Sequence, residues 1–317
     1  MNEAKCPICS ANTQKLFEVQ DRFKTTNQIF SLRKCLDCKT VFTFPSPNQE
    51  EIKKFYPRVY SWKKEYKTGG LLSGFLRKLE EKYVYHLLEH DTKSLLKNVK
   101  QLGKILDVGC GTGTRLEVFR KTGLKDCYGI EPSDEAVYAK NIKKLPVEQK
   151  SLTNLTSLGD SFDIITLYHV FEHLDNPASH LKVIKKNLNL GGYLVIQVPN
   201  FGSFQAKIFG KKWFALDVPR HYFHYTPETI ARLLSQNGFE AKKIDQNTNF
   251  LHPVYWVISL FPFLDPQLTW KDEEKGKNRI AHKILWILLT LFSILPAKIE
   301  NLLGKGGNMT IYAVKKD

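Results

Sequence analysis

Ile105-Leu106-Asp107-Val108-Gly109-Cys110-Gly111-Thr112-Gly113-Thr114 is the stretch that decides the fold. A short apolar run holds an acid, and three glycines follow at alternate positions. The run predicts a buried parallel strand, and the glycines predict a turn into a helix starting near Arg115. Glycine suits such a turn because the backbone must reverse tightly and admit a ligand with no Cβ in the way. The acid narrows the ligand. A carboxylate ahead of the glycines would repel a pyrophosphate, whereas it suits a group bearing an ammonium or sulfonium charge. The dinucleotide pattern Gly-x-Gly-x-x-Gly, which lacks the leading acid, fits less well.

Outward from this turn, Cys127-Tyr128-Gly129-Ile130-Glu131 predicts the next strand. Glu131 stands at its carboxyl end, where a carboxylate can accept hydrogen bonds from ribose hydroxyls. Here the chain resembles the class I S-adenosylmethionine-dependent methyltransferases, in the ubiquinone-biosynthesis-like, type 23 group. Phe162-Asp163-Ile164-Ile165, Val170-Phe171-Glu172-His173-Leu174, Leu190-Gly191-Gly192-Tyr193 and Val198-Pro199-Asn200 follow in the family's order, between about residues 100 and 247. The resemblance implies a doubly wound α/β sheet of seven strands, Rossmann-like, with S-adenosylmethionine as cofactor. It implies cofactor contacts from Asp107, Gly109, Cys110, Gly111, Gly113, Glu131, Pro132 and Tyr168. Ser151 and Leu152 stand where the family usually contacts adenine, often with an acid that this chain lacks.

Strands and helices alternate beyond the turn, as expected of a parallel sheet covered on both faces. Ser133 and Asn176-Pro177 read as helix starts. Strands are expected at 145–148, 162–167, 193–198 and 239–244, and a last strand at 309–314 should pair antiparallel with its predecessor. Residues 104–317 thus form the methyltransferase domain, with an apolar insertion at 248–304. Residues 46–103 read as a helical connector or cap, helical from about Leu72. Its aromatics Phe55, Tyr56, Tyr60, Trp62 and Tyr66, interleaved with lysines, serve either stacking on bases or sugars or packing onto the main domain.

Residues 1–45 carry two knuckles, Cys6-Pro7-Ile8-Cys9 and Cys35-Leu36-Asp37-Cys38. That spacing is the signature of a four-thiolate zinc ribbon, closed and therefore structural. Met1-Asn2-Glu3-Ala4-Lys5-Cys6 has no apolar signal region, so a cytoplasmic protein with reduced cysteines is expected. The net charge of +15 is heaviest before residue 104 and favours anionic partners or marks a lysine-rich surface.

Methyl transfer from a sulfonium needs alignment, exclusion of water and sometimes removal of a proton. Val218-Pro219-Arg220-His221-Tyr222-Phe223-His224-Tyr225-Thr226-Pro227 follows the fifth strand, where family members place acceptor loops. His221 and His224 are candidate bases, or loop hydrogen-bonders, and Arg220 is a candidate holder of an anionic group. His169, Glu172 and His173, with the later His221, are similar to the metal group of the small-RNA 3′-terminal methyltransferases, with His169 in place of its first Glu. A structural turn is the other reading.

In the insertion, Val254 to Ile258 and Ile284 to Leu295 are apolar peaks. The second is shorter than the ~20 residues of a bilayer span, and Pro296 is a helix stop. Residues 250–303 are therefore expected to lie on the inner face of a membrane or to cover a greasy acceptor. An ordinary lid or a dimer surface fits as well. The expected activity is O- or C-methylation of a small-molecule, sugar or lipid-linked acceptor. An RNA methyltransferase and a non-catalytic cofactor-binding scaffold are the alternatives.

Overall fold

The computed structural model describes residues 4–48, 50–56, 71–157, 161–246, 251–265, 268 and 280–316. Three strands open the chain: β1 (Thr13–Gln20), β2 (Ile29–Cys35) and β3 (Val41–Phe44). A long helix, α1 (Leu71–Asn98), leads to the decisive stretch, β4 (Ile105–Val108) and α2 (Thr114–Lys121). The alternation continues through β5 (Cys127–Ile130), α3 (Glu135–Asn141), β6 (Val147–Glu148), β7 (Phe162–Tyr168), α4 (Pro177–Asn187) and β8 (Leu188–Pro199). Then come α5 (Phe204–Phe209), β9 (Phe223–His224), α6 (Pro227–Gln236), β10 (Phe239–Asp245), α7 (Leu251–Leu260), α8 (Ile280–Leu302) and β11 (Asn308–Lys315).

Seven strands form one sheet in the order β10-β11-β8-β7-β4-β5-β6. The strands from β8 to β6 run parallel, and β11 enters antiparallel between β8 and β10. The expected doubly wound fold is therefore present. Period-two alternation sorts the side chains between two cores. Ile105, Ile164, Val195 and Tyr312 face Leu95 of α1 and Leu116 and Phe119 of α2. Leu106, Ile165, Leu194 and Ile196 face Leu181 and Ile184 of α4 and Leu233 and Leu234 of α6. All of β4 is buried, as befits a central parallel strand covered on both sides.

Start signals behave as read. Asn176 accepts the Ser179 N–H with Pro177 in the first turn of α4, and Ser133 Oγ accepts the Glu135 N–H before α3. The connector's helix runs 28 residues, and among the described residues before it there is a 3-10 turn at Ile52–Phe55.

A second sheet has the order β1-β2-β3-β9. Its fourth strand belongs to the loop at 218–227, the expected acceptor loop: Val41 pairs with His224 and Phe42 with Phe223. The cysteine-bearing strands are thus hydrogen-bonded into the main domain.

Pro296 does not stop its helix. It lies inside α8, which runs on to Leu302. A proline costs a helix a hydrogen bond, but tertiary contacts carry α8 past it. Ala297 and Glu300 are buried, and Glu300 accepts from the Gln205 backbone N–H (2.9 Å), Gln205 Nε2 (2.7 Å) and Trp256 Nε1 (3.0 Å).

Candidate functional site

At the turn after β4, Gly109, Gly111 and Gly113 all adopt positive φ, 69°, 52° and 73°. Two of them are also too crowded for a side chain. A Cβ on Gly109 would lie 2.5 Å from Val170 Cγ2, and one on Gly113 2.5 Å from Leu145 Cδ1. The amides of Gly109 and Cys110 donate to the Ile130 carbonyl, which ties the turn to the end of β5 (2.8 and 3.2 Å). Glu131 sits across it, accepting the Gly111 N–H at 3.1 Å and the Ser133 N–H at 2.9 Å. Each carboxylate oxygen keeps a further lone pair for a ligand hydroxyl.

Asp107 is buried and accepts from Thr166 Oγ1 at 2.6 Å. Burial pushes its carboxyl up to about 6, although the Arg115 charge and the Thr166 bond pull the other way. Arg115 itself lies 3.4 Å from the Tyr168 ring centroid and pairs with Asp91 of α1 at 3.2 Å. The connector helix thereby reaches the turn. Arg115 and Asp91 are missing from the sequence-level site, although Arg115 directly follows the motif. Cys110 turns its sulfur into the core against Gly129, so only its backbone belongs to the turn. Pro132 is exposed, Ser151 is half-buried, and Leu152 packs into the core.

The other end of the site begins where β7 stops. His169 has φ 57°, Val170 lies over Gly109, and a 3-10 turn follows at Phe171–His173. Glu172 is 1% exposed, and neither of its oxygens has a hydrogen-bond partner among the described residues. His169 Nδ1 stands 3.4 Å and His221 Nε2 3.9 Å from Glu172 Oε1. His221 Nδ1 lies 2.9 Å from the Ala215 carbonyl, and His173 Nδ1 lies 3.0 Å from the Arg220 carbonyl. A carbonyl can only accept, so both Nδ1 atoms carry hydrogen, which leaves Nε2 as the site of any lone pair on either ring. Ligand atoms of Glu172, His173 and His221 lie within 4.8 Å of one another. Burial, with His173 alongside, pushes His221 down to about 4; burial, with His221 alongside, takes His224 down to about 3. Both are neutral at physiological pH. His169 joins this group through Glu172, while His224 lies behind it with Nε2 3.2 Å from Thr43 Oγ1.

Arg220 is unavailable to a substrate. Its side chain is fully buried, bonding to Asp217 (2.9–3.1 Å), Asp21 (2.8 Å) and the Phe55 carbonyl (2.8 Å). Arg22 extends the network, bridging Asp217 at 2.8 Å to Asp265. Burial opposes the charge on Asp217, yet Arg220 and Arg22 hold its carboxyl well below the usual range. The network ties the cysteine module, the acceptor loop and the insertion together. Of the connector aromatics, Phe55 packs edge-on against Phe30 and Tyr56 against His173. These contacts fit the packing role, whereas Tyr60, Trp62 and Tyr66 lie outside the described residues.

The four knuckle cysteines converge as the spacing requires. Cys6 and Cys38 sulfurs are 3.6 Å apart, Cys9 and Cys35 sulfurs 3.4 Å apart, and all four lie within 4.8 Å of one another. A tetrahedral zinc with bonds of ~2.3 Å needs sulfurs ~3.8 Å apart. Amides of Ile8 and Cys38 point at the Cys6 and Cys35 sulfurs, at 3.4 and 3.3 Å, and would stabilise thiolates. The residues fit the ion.

The methyltransferase-domain family model of type 23 matches residues 80–244, just over half of the chain. Among curated proteins, the ubiquinone biosynthesis O-methyltransferase of Cereibacter sphaeroides is 26% identical over 172 residues, covering 50% of this chain and 67% of that protein. The enzyme of the same description from Acinetobacter baylyi is 26% identical over 172 residues, covering 49% and 71%. Among solved structures, the complex between the Haloferax volcanii Trm112 methyltransferase activator and a methyltransferase matches with TM-score 0.50 at 16% identity, covering 75% of this chain and 93% of that one. An S-adenosylmethionine-dependent methyltransferase from Archaeoglobus fulgidus matches at TM-score 0.47 and 20% identity. Those structural likenesses concern the fold alone; the family match covers the glycine turn, Glu131 and the Glu172–His221 group together. The chain belongs to the methyltransferase-domain family and is an S-adenosylmethionine-dependent methyltransferase.

Proposed function

We propose that the chain methylates a hydroxyl or carbon of a small or lipid-linked acceptor that enters beside His221. The observation that carries this is the Glu172–His173–His221 group, with Glu172 and His221 buried and His173 half-buried, joined to the glycine turn through Val170. The curated relatives named for ubiquinone biosynthesis support an acceptor of that kind. When bound, S-adenosylmethionine supplies a methyl on a positively charged leaving group. Asp107 would face its cationic end, Glu131 would accept from its ribose hydroxyls, and the glycine backbone would admit it closely. The chain's remaining task is to align the acceptor, exclude water and take a proton. His221 suits that last role, because its Nδ1–H is fixed by Ala215 and its Nε2 lone pair faces Glu172. Glu172 would stabilise the imidazolium as it forms, which offsets part of the basicity that burial removes.

A second mode rests on the same convergence of two imidazoles and a carboxylate. A divalent cation there would lower the pKa of an acceptor hydroxyl without a protein base. Zinc in the cysteine cluster would be structural in either case.

Incubating the protein with methyl-labelled S-adenosylmethionine and fractions of extracted lipids and soluble metabolites tests the acceptor class. Label should appear in a fraction and drop ~10²–10⁴-fold with His221→Ala, the scale of losing an acid–base group. Transfer undiminished by that change would remove His221 from the reaction.

The apolar insertion suggests work at the cytoplasmic face of a membrane. Ile284–Leu302 is the one segment among the described residues long and apolar enough to cross a bilayer, and only 11% of it is buried. Ile284, Leu288, Leu291, Phe292, Leu295 and Leu302 form its outward stripe, with Phe292 78% and Leu302 87% exposed. Because Ala297 and Glu300 bind this helix to the protein body, a contact with one leaflet fits better than a span. Trp256 is no part of such a contact, since it packs on Phe209 and donates to Glu300. Trp286 is half-buried. The protein should float with anionic liposomes at low salt, and Phe292→Asp with Leu295→Asp should abolish flotation. Wild-type protein that never floats would make the stripe a lid or a dimer surface.

A further inference from the structure

We propose that Thr43, in the strand that follows the second cysteine knuckle, is a positioning residue for the acceptor site. This rests on the reading that the acceptor enters beside His221, with His224 behind it, and it gives the cysteine module a part in the reaction as well as in the fold.

Thr43 is fully buried and reaches three residues of the acceptor loop. Its backbone N–H donates to the Tyr222 carbonyl at 3.0 Å, and its hydroxyl donates to the His221 carbonyl at 2.8 Å. The same hydroxyl oxygen lies 3.2 Å from His224 Nε2. A hydroxyl has one hydrogen. With that hydrogen given to the His221 carbonyl, the oxygen accepts from His224, so His224 carries its proton on Nε2 and its lone pair on Nδ1. One side chain thus fixes the loop backbone at His221 and the tautomer of His224.

The far side of the same loop segment is held too. Tyr222 N–H donates to the Glu172 carbonyl at 2.9 Å, so the loop is clamped between Thr43 and the residue that faces His221. The register of Thr43 is set in turn by the knuckle. Cys35 N–H donates to the Thr40 carbonyl at 3.0 Å, Cys38 Sγ lies 3.4 Å from Thr40 Oγ1, and β3 starts at the next residue. The path from thiolates to acceptor site is therefore a short, rigid antiparallel pairing.

The test uses full-length protein carrying Thr43→Val, which keeps shape but loses the hydroxyl, and Thr43→Ser, which keeps the hydroxyl. Three readouts are taken: histidine side-chain nitrogen NMR, calorimetric binding of S-adenosylhomocysteine, and label transfer to the lipid extract. Wild type and Thr43→Ser should show His224 protonated on Nε2. Thr43→Val should mix the tautomers and transfer methyl about a hundredfold more slowly, the scale of misplacing a reacting group by ~1 Å. Affinity for S-adenosylhomocysteine should stay within about twofold in all three, because Thr43 touches nothing at the glycine turn. Unchanged tautomer and transfer in Thr43→Val would overturn the proposal, as would equal loss in both variants. If Thr43→Val does not fold, a wild-type His224 bearing its proton on Nδ1 overturns it alone. If wild type labels no fraction, the acceptor reading fails, and the NMR arm still decides the role of Thr43.

Discussion

Protein carrying Cys35→Ser should lose its zinc and, with it, order well beyond the first 45 residues. A structural zinc site contributes ~10–16 kcal/mol of binding free energy in isolated peptides, which is folding free energy for the module that holds it. From sequence the module is remote from the glycine turn, so its loss should lower stability before it abolishes cofactor binding. The structure changes the expectation, because β3 pairs with β9 and Asp21 pairs with Arg220. Hydrogen exchange should therefore accelerate at residues 217–224 as well as at 6–44, while amides of the glycine turn stay protected. Elemental analysis should find one zinc per wild-type chain and none in the variant. Zinc-free variant with undisturbed exchange at 217–224 would show the module to be independent.

Arg220→Met should destabilise the protein by ~3–5 kcal/mol, the cost of leaving buried carboxylates without their partner. Asp21 loses its guanidinium, Asp217 keeps only that of Arg22, and neither is open to water. Arg232→Ala is the control. It breaks a pair with Asp37 whose side chains are 44% and 61% exposed, and should cost less than ~1 kcal/mol. Denaturant unfolding of both variants measures the difference, and equal midpoints would contradict it. Asp217 also sets a pH dependence. Its carboxyl is depressed in the folded state, so its contribution is complete above the ordinary carboxylate pKa of ~3.9. It is lost as pH falls through the lower folded value.

The main sheet was legible because strong local signals coincide there. Three positive-φ glycines, two of them crowded, follow a wholly buried strand, and period-two apolar segments recur at regular intervals. The antiparallel last strand was legible for the same reason. The second sheet was not, since β9 has two residues and no periodicity of its own. Its existence depends on a partner about 180 positions away, which no local pattern encodes. Arg220 was misread on the same ground: an arginine in a loop between histidines looks like a ligand holder, and its buried acids lie elsewhere in the chain. At Pro296 a sound local rule lost to tertiary packing, through Glu300 and its three donors. Among site residues, the glycines, Glu131 and the four cysteines were placed by motif. The pairing of Glu172 with His221 appears only once the acceptor loop folds back under the cysteine module.

Calorimetric titration with S-adenosylhomocysteine, on wild type and Glu131→Ala across pH 5 to 8, tests the central claim most directly. Wild type should bind at one site, and Glu131→Ala should lose ~1.5–3 kcal/mol, roughly ten- to hundredfold in affinity, from its charge-assisted hydrogen bonds. The pH dependence follows from Asp107, whose carboxyl burial raises to about 6 in the free protein. If Asp107 faces the ligand's ammonium group as proposed, protonation removes that charge, so affinity should be steady above that pH and weaken below it. No binding by wild type, or binding indifferent to both Glu131 and pH, would contradict a methyl donor seated on the glycine turn.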